Sequence, residues 1–216
     1  SRFLDLNTSK ESKKAGQSLF SSFSNIPFAY PDGKCLSSRI HSFIPRDLQV
    51  IPLTHDEGVL VINKNKVIVI NAGHQAKGDN GKAPEGPGAS KLRTKVTYGA
   101  TGSFSKVPES QITLDIAFKL KDELESRGDT VYMTRTSQNV NISNMDRALK
   151  ANTYKPAAVI SLHCDSIDDT SVTGAHTIAI KKDNAYCAPL YDASSKLAKS
   201  VINSYCAATG IKNRGV

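Results

Sequence analysis

The sequence predicts an α/β fold, a mostly parallel sheet flanked by helices on both faces. Two observations carry that expectation. The segments "VIVINAG" and "AAVISLH" are near-continuous apolar runs, the pattern of strands buried on both faces rather than one. Amphipathic helical stretches alternate with such strands along the chain, as strand-helix-strand units require.

The elements follow in order. Residues 1–60 are a leader or small N-terminal appendage: "NTSKESKKAGQSLFSSFSN" is Ser/Lys-rich with little periodicity, and Pro27, Pro31, Pro45 and Pro52 punctuate the rest. The compact domain is expected over 61–216. "HDEGVLVINKNKVIVINAG" reads as two short strands joined at Asn63 to Lys66. The segment from Ala76 to Pro108 is rich in glycine and proline and reads as a long loop, of a length usually reserved for function or mobility. It holds six basic residues (Lys77, Lys82, Lys91, Arg93, Lys95, Lys106) against two acids, Asp79 and Glu85. From Gln111, Ile112, Ile116, Leu120 and Leu124 recur four apart with Ala117 beside them, a helix that Gly128 stops. "TVYMTR" is a strand, and Ile142 to Asn152 a helix with Met145, Ala148 and Leu149 inward. "AAVISLH" and "GAHTIAI" are strands. Tyr191 to Ala208 is a helix with Leu197, Ala198, Val201, Ile202 and Tyr205 on one face.

Composition narrows the function classes. With 216 residues, 39% hydrophobic and 22% charged, the chain has an ordinary globular balance. No run approaches the roughly 18 apolar residues of a membrane span, and no basic-then-apolar signal segment is present. The chain begins at Ser1, so the missing signal does not place it in the cytoplasm. Cys35, Cys164, Cys187 and Cys206 form no C-x-x-C pair, against a zinc ribbon or thioredoxin-type site. A net charge of +8 favours polyanionic surroundings, although a merely soluble basic surface reads the same way. Without tryptophan or aromatic-interleaved basic stretches, nucleic acid is the weaker partner.

Chemistry is concentrated at two strand ends. His74 and His163 sit at or just past the carboxyl ends of the two buried strands, the edge where open α/β sheets bind ligands. Neutral imidazole suits zinc, and catalytic zinc takes three protein ligands. Glu109, just ahead of the first amphipathic helix, is the candidate third ligand. The plainer alternatives stand beside this one: a strand-end histidine is more often a satisfied polar residue, and Glu109 also complements a helix dipole. H-E-x-x-H and H-x-E with P-C-x-x-C are absent, which removes the common zinc protease and deaminase signatures.

From about Val67 onward, "VINAGHQ", "PESQITLDIAFKLKDELESRGDTVYMTR", "ISNMDRALKAN", "AAVISLHCDS" and "TGAHTIAI", in that order, resemble the zinc-dependent N-acetylmuramoyl-L-alanine amidases of the Amidase_3 type. The enlarged loop "EGPGAS…KVTYGATG" resembles a variant of that family. The resemblance implies an amidase/phosphorylase-like fold and Zn2+ held by His74, Glu109 and His163. It implies cleavage of the amide between N-acetylmuramic acid and L-alanine of peptidoglycan, at the cell wall or elsewhere in the bacterial envelope. The family's general base is a second glutamate in an L-V-E-x-G-F context, and this sequence ends at "TGIKNRGV", ahead of the corresponding strand. The 216 residues are therefore expected to be inactive or severely impaired unless that segment is supplied. Asp165 is the weak internal candidate for base.

Two local departures follow. Gln138 stands near where the family often has Asp after T-R, and Cys164 beside His163 reads as a small core residue able to coordinate or oxidise only in a distorted site. Arg147 and Asn152 are expected to tie the second helix to the sheet. The rival from another class is a non-catalytic zinc-containing protein that binds cell wall or a partner, with the basic 76–108 loop gripping anionic wall polymer. A third is another zinc hydrolase, a carboxypeptidase or deacetylase.

Overall fold

The structure, a computed structural model, describes residues 65–166, 169 and 171–216. The expectations for residues 1–60 and for a strand ahead of Asn63 lie outside the described residues.

The centre of the fold is a three-stranded parallel sheet ordered β4-β1-β5, with β1 at Val67–Ala72, β4 at Thr130–Met133 and β5 at Ala158–Leu162. Because β1 pairs with neighbours on both edges, Val67 to Ile70 along β4 and Ile68 to Ala72 along β5, its apolar run is enclosed from every side. Side-chain alternation then assigns the faces. Ile68, Ile70 and Ala72 join Val131, Met133 and Leu162 against helix α1 (Glu109–Ser126), which contributes Leu114, Ala117 and Leu124 to the same core. On the opposite face Asn71 and Ser161 bond each other at 2.7 Å, and Arg147 of helix α2 (Asn144–Thr153) reaches Asn71 Oδ1 at 3.0 Å. One helix covers each face, as the apolar strands predict.

The strand order reverses at β1. The chain leaves β1 through α1 to reach β4 on one side, then crosses through α2 to β5 on the other. Such a switch point opens a crevice at the carboxyl ends of the strands. His74 and His163 both follow strands that border it.

Local signals account for the helices. α2 starts at a capping box in which Ser143 Oγ accepts from Asp146 N–H at 3.0 Å and Asp146 Oδ2 accepts from Ser143 N–H at 2.9 Å. α1 ends at Gly128, where Gly128 N–H donates to Glu125 O and Asp129 N–H to Leu124 O, a Schellman arrangement. A third helix, α3, spans Tyr191–Thr209 after a short 3-10 turn at Ala188–Leu190, and buries Ala198 and Ile202.

Three expectations are corrected. Residues 76–108 are not one long loop: β2 (Asp79–Pro84) and β3 (Leu92–Val96) form an antiparallel hairpin. Its turn places Pro87 at the position that favours proline and Gly88, at φ +70°, at the position that requires positive φ, and Ala89 N–H closes it on Gly86 O. Second, Met145 and Leu149 are exposed, and the inward face of α2 is Arg147, Ala148, Ala151 and Asn152. The helix is turned so that a guanidinium, rather than a thioether and an isobutyl group, meets the sheet. Third, "GAHTIAI" is no regular strand. Only Ala175 forms a bridge, with Asn213, supported by Ala175 N–H to Lys212 O and Thr177 N–H to Gly215 O, too short a pairing to propagate a ladder.

Candidate metal centre

At the tip of β1 the backbone turns at His74 itself, which takes φ 59°. A left-handed non-glycine residue costs roughly 1–2 kcal/mol, so the surroundings must hold it. Two buried arginines do. Arg147 donates to Ala72 O at 2.8 Å and to His74 O at 2.8 Å, and Arg135 donates to Ala72 O at 2.9 Å and Gly73 O at 2.9 Å. Neither guanidinium pairs with a carboxylate among the described residues. Burial lowers each to about 10, with the charge of Arg135 a further cause for Arg147. Both stay cationic at neutral pH, and their work is to gather carbonyl oxygens. Replacing Arg147 by Met would leave His74 O without its donor, at about 1–3 kcal/mol for such a group, while Ala72 O keeps Arg135. We expect a chemical-denaturation midpoint lower by an amount in that range.

Gly73 permits the next contact. A Cβ there would lie 2.5 Å from the His163 ring and 2.5 Å from Leu162 O, so glycine lets the ends of β1 and β5 close on each other. The turn itself is at His74, and Gly73 supplies room.

The three candidate ligands converge. His74 Nε2, His163 Nδ1 and Glu109 Oε1 lie 3.1 Å from one another in all three pairs. Ligand atoms on a zinc ion at 2.0–2.1 Å bonds sit about 3.3 Å apart in a tetrahedron, so the triangle has the right size. Protonation supports the same reading. His74 Nδ1 lies 2.9 Å from Thr97 O, a carbonyl that only accepts, so Nδ1 carries a proton and Nε2 is the nitrogen turned to Glu109 and His163. A carboxylate oxygen and an imidazole lone pair facing one another need a cation between them, either a metal ion or a proton that makes the imidazole a donor to Glu109.

Glu109 is held on its other side too. Its Oε2 accepts from Ala100 N–H at 2.8 Å, its Oε1 from Cys164 N–H at 2.8 Å, and its own N–H donates to Ala100 O at 2.8 Å. Burial alone raises a carboxyl pKa. Here the bonds to His163, His74, Ala100 and Cys164 outweigh it and hold Glu109 well below the usual carboxylate range. A group depressed below its ordinary 4.5 contributes full stability above that pH and loses it as pH falls toward the folded value. In the presence of chelator, Tm should fall on acidification below about pH 4.5, and Glu109→Gln should flatten that fall.

The segment 97–100 closes the centre from outside. Thr97 orients His74, Ala100 orients Glu109, and between them Gly99, at φ +89°, leaves so little room that a Cβ would sit 2.7 Å from the His74 ring.

Other sequence candidates lie elsewhere. Asp165 is half-exposed and its Oδ2 faces His176 Nε2 at 3.3 Å. Cys164 is buried, its thiol pushed up to about 12 by burial and then by the charges of Glu109 and Asp165, so it is a neutral packing group. Gln138 bonds Gln111 Oε1 at 3.1 Å. Asn152 is buried on the sheet-facing side of α2. Sequence reading gave no role to Arg135, Thr97 or Gly99. Arg135 follows β4 at the same sheet edge as the histidines, the one signal that pointed to it; the two glycines of "YGATG" were the other available hint.

Comparison with known proteins gives a consistent set. The N-acetylmuramoyl-L-alanine amidase family matches residues 68–216. Among solved structures, the chain is similar to the N-acetylmuramoyl-L-alanine amidase AmiC2 of Nostoc punctiforme, at 22% identity over 69% of this chain and 67% of that one, TM-score 0.48. It is also similar to the N-acetylmuramyl-L-alanine amidase Ami1 from Mycobacterium abscessus, at 26% identity over 47% of this chain and 48% of that one, TM-score 0.42. A third is Ami1 from Mycobacterium smegmatis, at 23% identity over 46% and 47%, TM-score 0.42. The chain thus spans about half the length of the two mycobacterial proteins. No curated protein sequence matches it. With 149 consecutive positions (68 to 216) matched out of 216, the chain belongs to the N-acetylmuramoyl-L-alanine amidase family.

Proposed function

We propose that this chain is a zinc-dependent peptidoglycan amidase of the bacterial cell envelope, directed at the amide between N-acetylmuramic acid and the L-alanine of the stem peptide. The observation that carries the proposal is the 3.1 Å triangle of His74, Glu109 and His163, with His74 Nε2 and His163 Nδ1 pointing into it. When bound there, zinc would polarise the scissile carbonyl and bring the pKa of its water toward about 7. The chain's own residues orient: Thr97 fixes the tautomer of His74, Ala100 and Cys164 fix the Glu109 carboxylate, and Arg135 and Arg147 fix the backbone that carries His74.

Hydrolysis also needs a group to carry a proton from water to the leaving amine. Among the described residues, no carboxylate besides Glu109 joins the metal-ligating group, and Asp165 is turned to His176. General base catalysis contributes about 10²–10⁴-fold, so starting from a typical kcat of about 10 s−1 we expect roughly 10⁻³–10⁻¹ s−1 from this polypeptide. Muropeptide digestion with added zinc, followed by mass spectrometry, tests both parts. New peptide amino termini at L-alanine at a slow rate agree with the proposal. Cleavage at another bond would instead indicate a carboxypeptidase or deacetylase, and fast turnover abolished by Glu109→Ala would remove the argument about the base.

The basic hairpin favours a second reading, a wall-binding protein that retains zinc without catalysis. Glu85 pairs with Lys91 and Arg93, and Asp79 with Lys95, which leaves Lys77, Lys82 and Lys106 without a carboxylate among the described residues. Salt-sensitive binding to purified sacculi, with no new amino termini released, would favour that reading.

A further inference from the structure

Beside the metal centre lies an open cavity of about 580 Å3, walled by residues 76–80 on one side and 138–141 on the other. The first wall begins two residues past His74, and Ala76 N–H donates to Gln138 O at 3.1 Å, which joins the walls. A Cβ on Gly78 would lie 3.0 Å from Tyr98 N, so the cavity floor rests on the segment that orients His74. Asn80, Asn139 and Asn141 bring side-chain amides to this lining, each with paired donors and an acceptor, while the Gln138 amide is turned to Gln111.

Charge decides what such a lining suits. Asp79, the acid on the wall, is engaged by Lys95 at 3.4 Å and by Gly81 N–H at 2.8 Å, whereas Lys77 is exposed and has no carboxylate among the described residues. Behind the walls stand the two buried guanidiniums, Arg135 bonded to Ser137 O at 3.2 Å and Arg147 to Gln75 Oε1 at 3.1 Å. The local field is positive while the hydrogen-bonding groups are amides. A neutral saccharide makes no use of the cations. An extended peptide carrying a carboxylate uses both, its backbone amides against the Asn side chains and its acid on Lys77.

We propose that this cavity receives the acidic peptide arm of the substrate, with Lys77 as its carboxylate contact and a determinant of specificity. This rests on the amidase reading for the identity of the substrate, while the cavity's preference for acidic peptide can be read separately. The probes are a synthetic acidic tetrapeptide beginning in L-alanine, the same peptide with its carboxylates amidated, and an N-acetylglucosamine tetramer, each titrated into the full chain and followed by NMR. The acidic peptide should bind, shift resonances of residues 76–80 and 138–141, and weaken as salt is raised. Lys77→Ala should weaken it about fivefold, the upper end for an exposed ion pair, and Lys77→Arg should restore it. The amidated peptide should be weaker by a similar factor and indifferent to Lys77→Ala.

Equal binding of the acidic and amidated peptides, no effect of Lys77→Ala, or shifts at these walls from the saccharide alone would overturn the proposal. The two readings fail separately. Peptide binding without any muropeptide cleavage leaves the cavity assignment standing and removes the amidase reading. Cleavage at the L-alanine bond with no charge-dependent peptide binding does the reverse.

Discussion

Glu109→Ala lowers zinc affinity by about a hundredfold or more and removes whatever peptide release the chain shows. The scale follows from the fact that losing a mere supporting partner of a metal ligand costs 10–100-fold, and Glu109 is both the proposed ligand and the hub of the cluster. Its Oε1 faces both histidines at 3.1 Å, and its two oxygens accept from Ala100 and Cys164. Truncation would leave two nitrogens and two backbone N–H groups without the anion they converge on. Isothermal titration with zinc, on variants shown by circular dichroism to be folded, reads the effect. Affinity within about threefold of the parent chain would contradict it.

Gly73→Ala has the second large effect, and the reason is steric rather than electrostatic. The added methyl would sit 2.5 Å from the His163 ring and 2.5 Å from Leu162 O. The ring has freedom to turn, but the carbonyl belongs to β5 and also accepts Gly73 N–H at 3.0 Å. Relief therefore requires β1 and β5 to part at the end where their histidines meet. Overpacking of this kind costs about 1–3 kcal/mol, and the separation of His74 from His163 should weaken zinc binding about tenfold or more. Denaturant titration and zinc titration together test it. A stability loss without a loss of affinity would show that the strand ends move as one.

What the sequence revealed depended on how local each feature is. β1 and β5 announce themselves because both are near-continuous apolar runs, and His74, Glu109 and His163 stand out because each follows or precedes an element with a strong period. The hairpin escaped because its strands alternate weakly, with only Ala83 and Val96 buried, and its register rests on Pro87–Gly88 turn chemistry and the cross-strand pairs to Glu85 and Asp79. The face of α2 escaped because periodicity ranks Met145 and Leu149 above Arg147, although β1 leaves four oxygens that only a guanidinium gathers at once. Arg135 and Gly99 act across long separations in sequence, where no local pattern reports them. The site was legible as chemistry; its supports were legible only as geometry.

His74, Glu109 and His163 together should hold one zinc ion. Metal analysis of the purified, untagged 216-residue chain, run beside His163→Ala, tests it most directly. One zinc per parent chain and its loss in the variant are expected; no zinc in the parent, or an unchanged content in His163→Ala, would rule the shared site out.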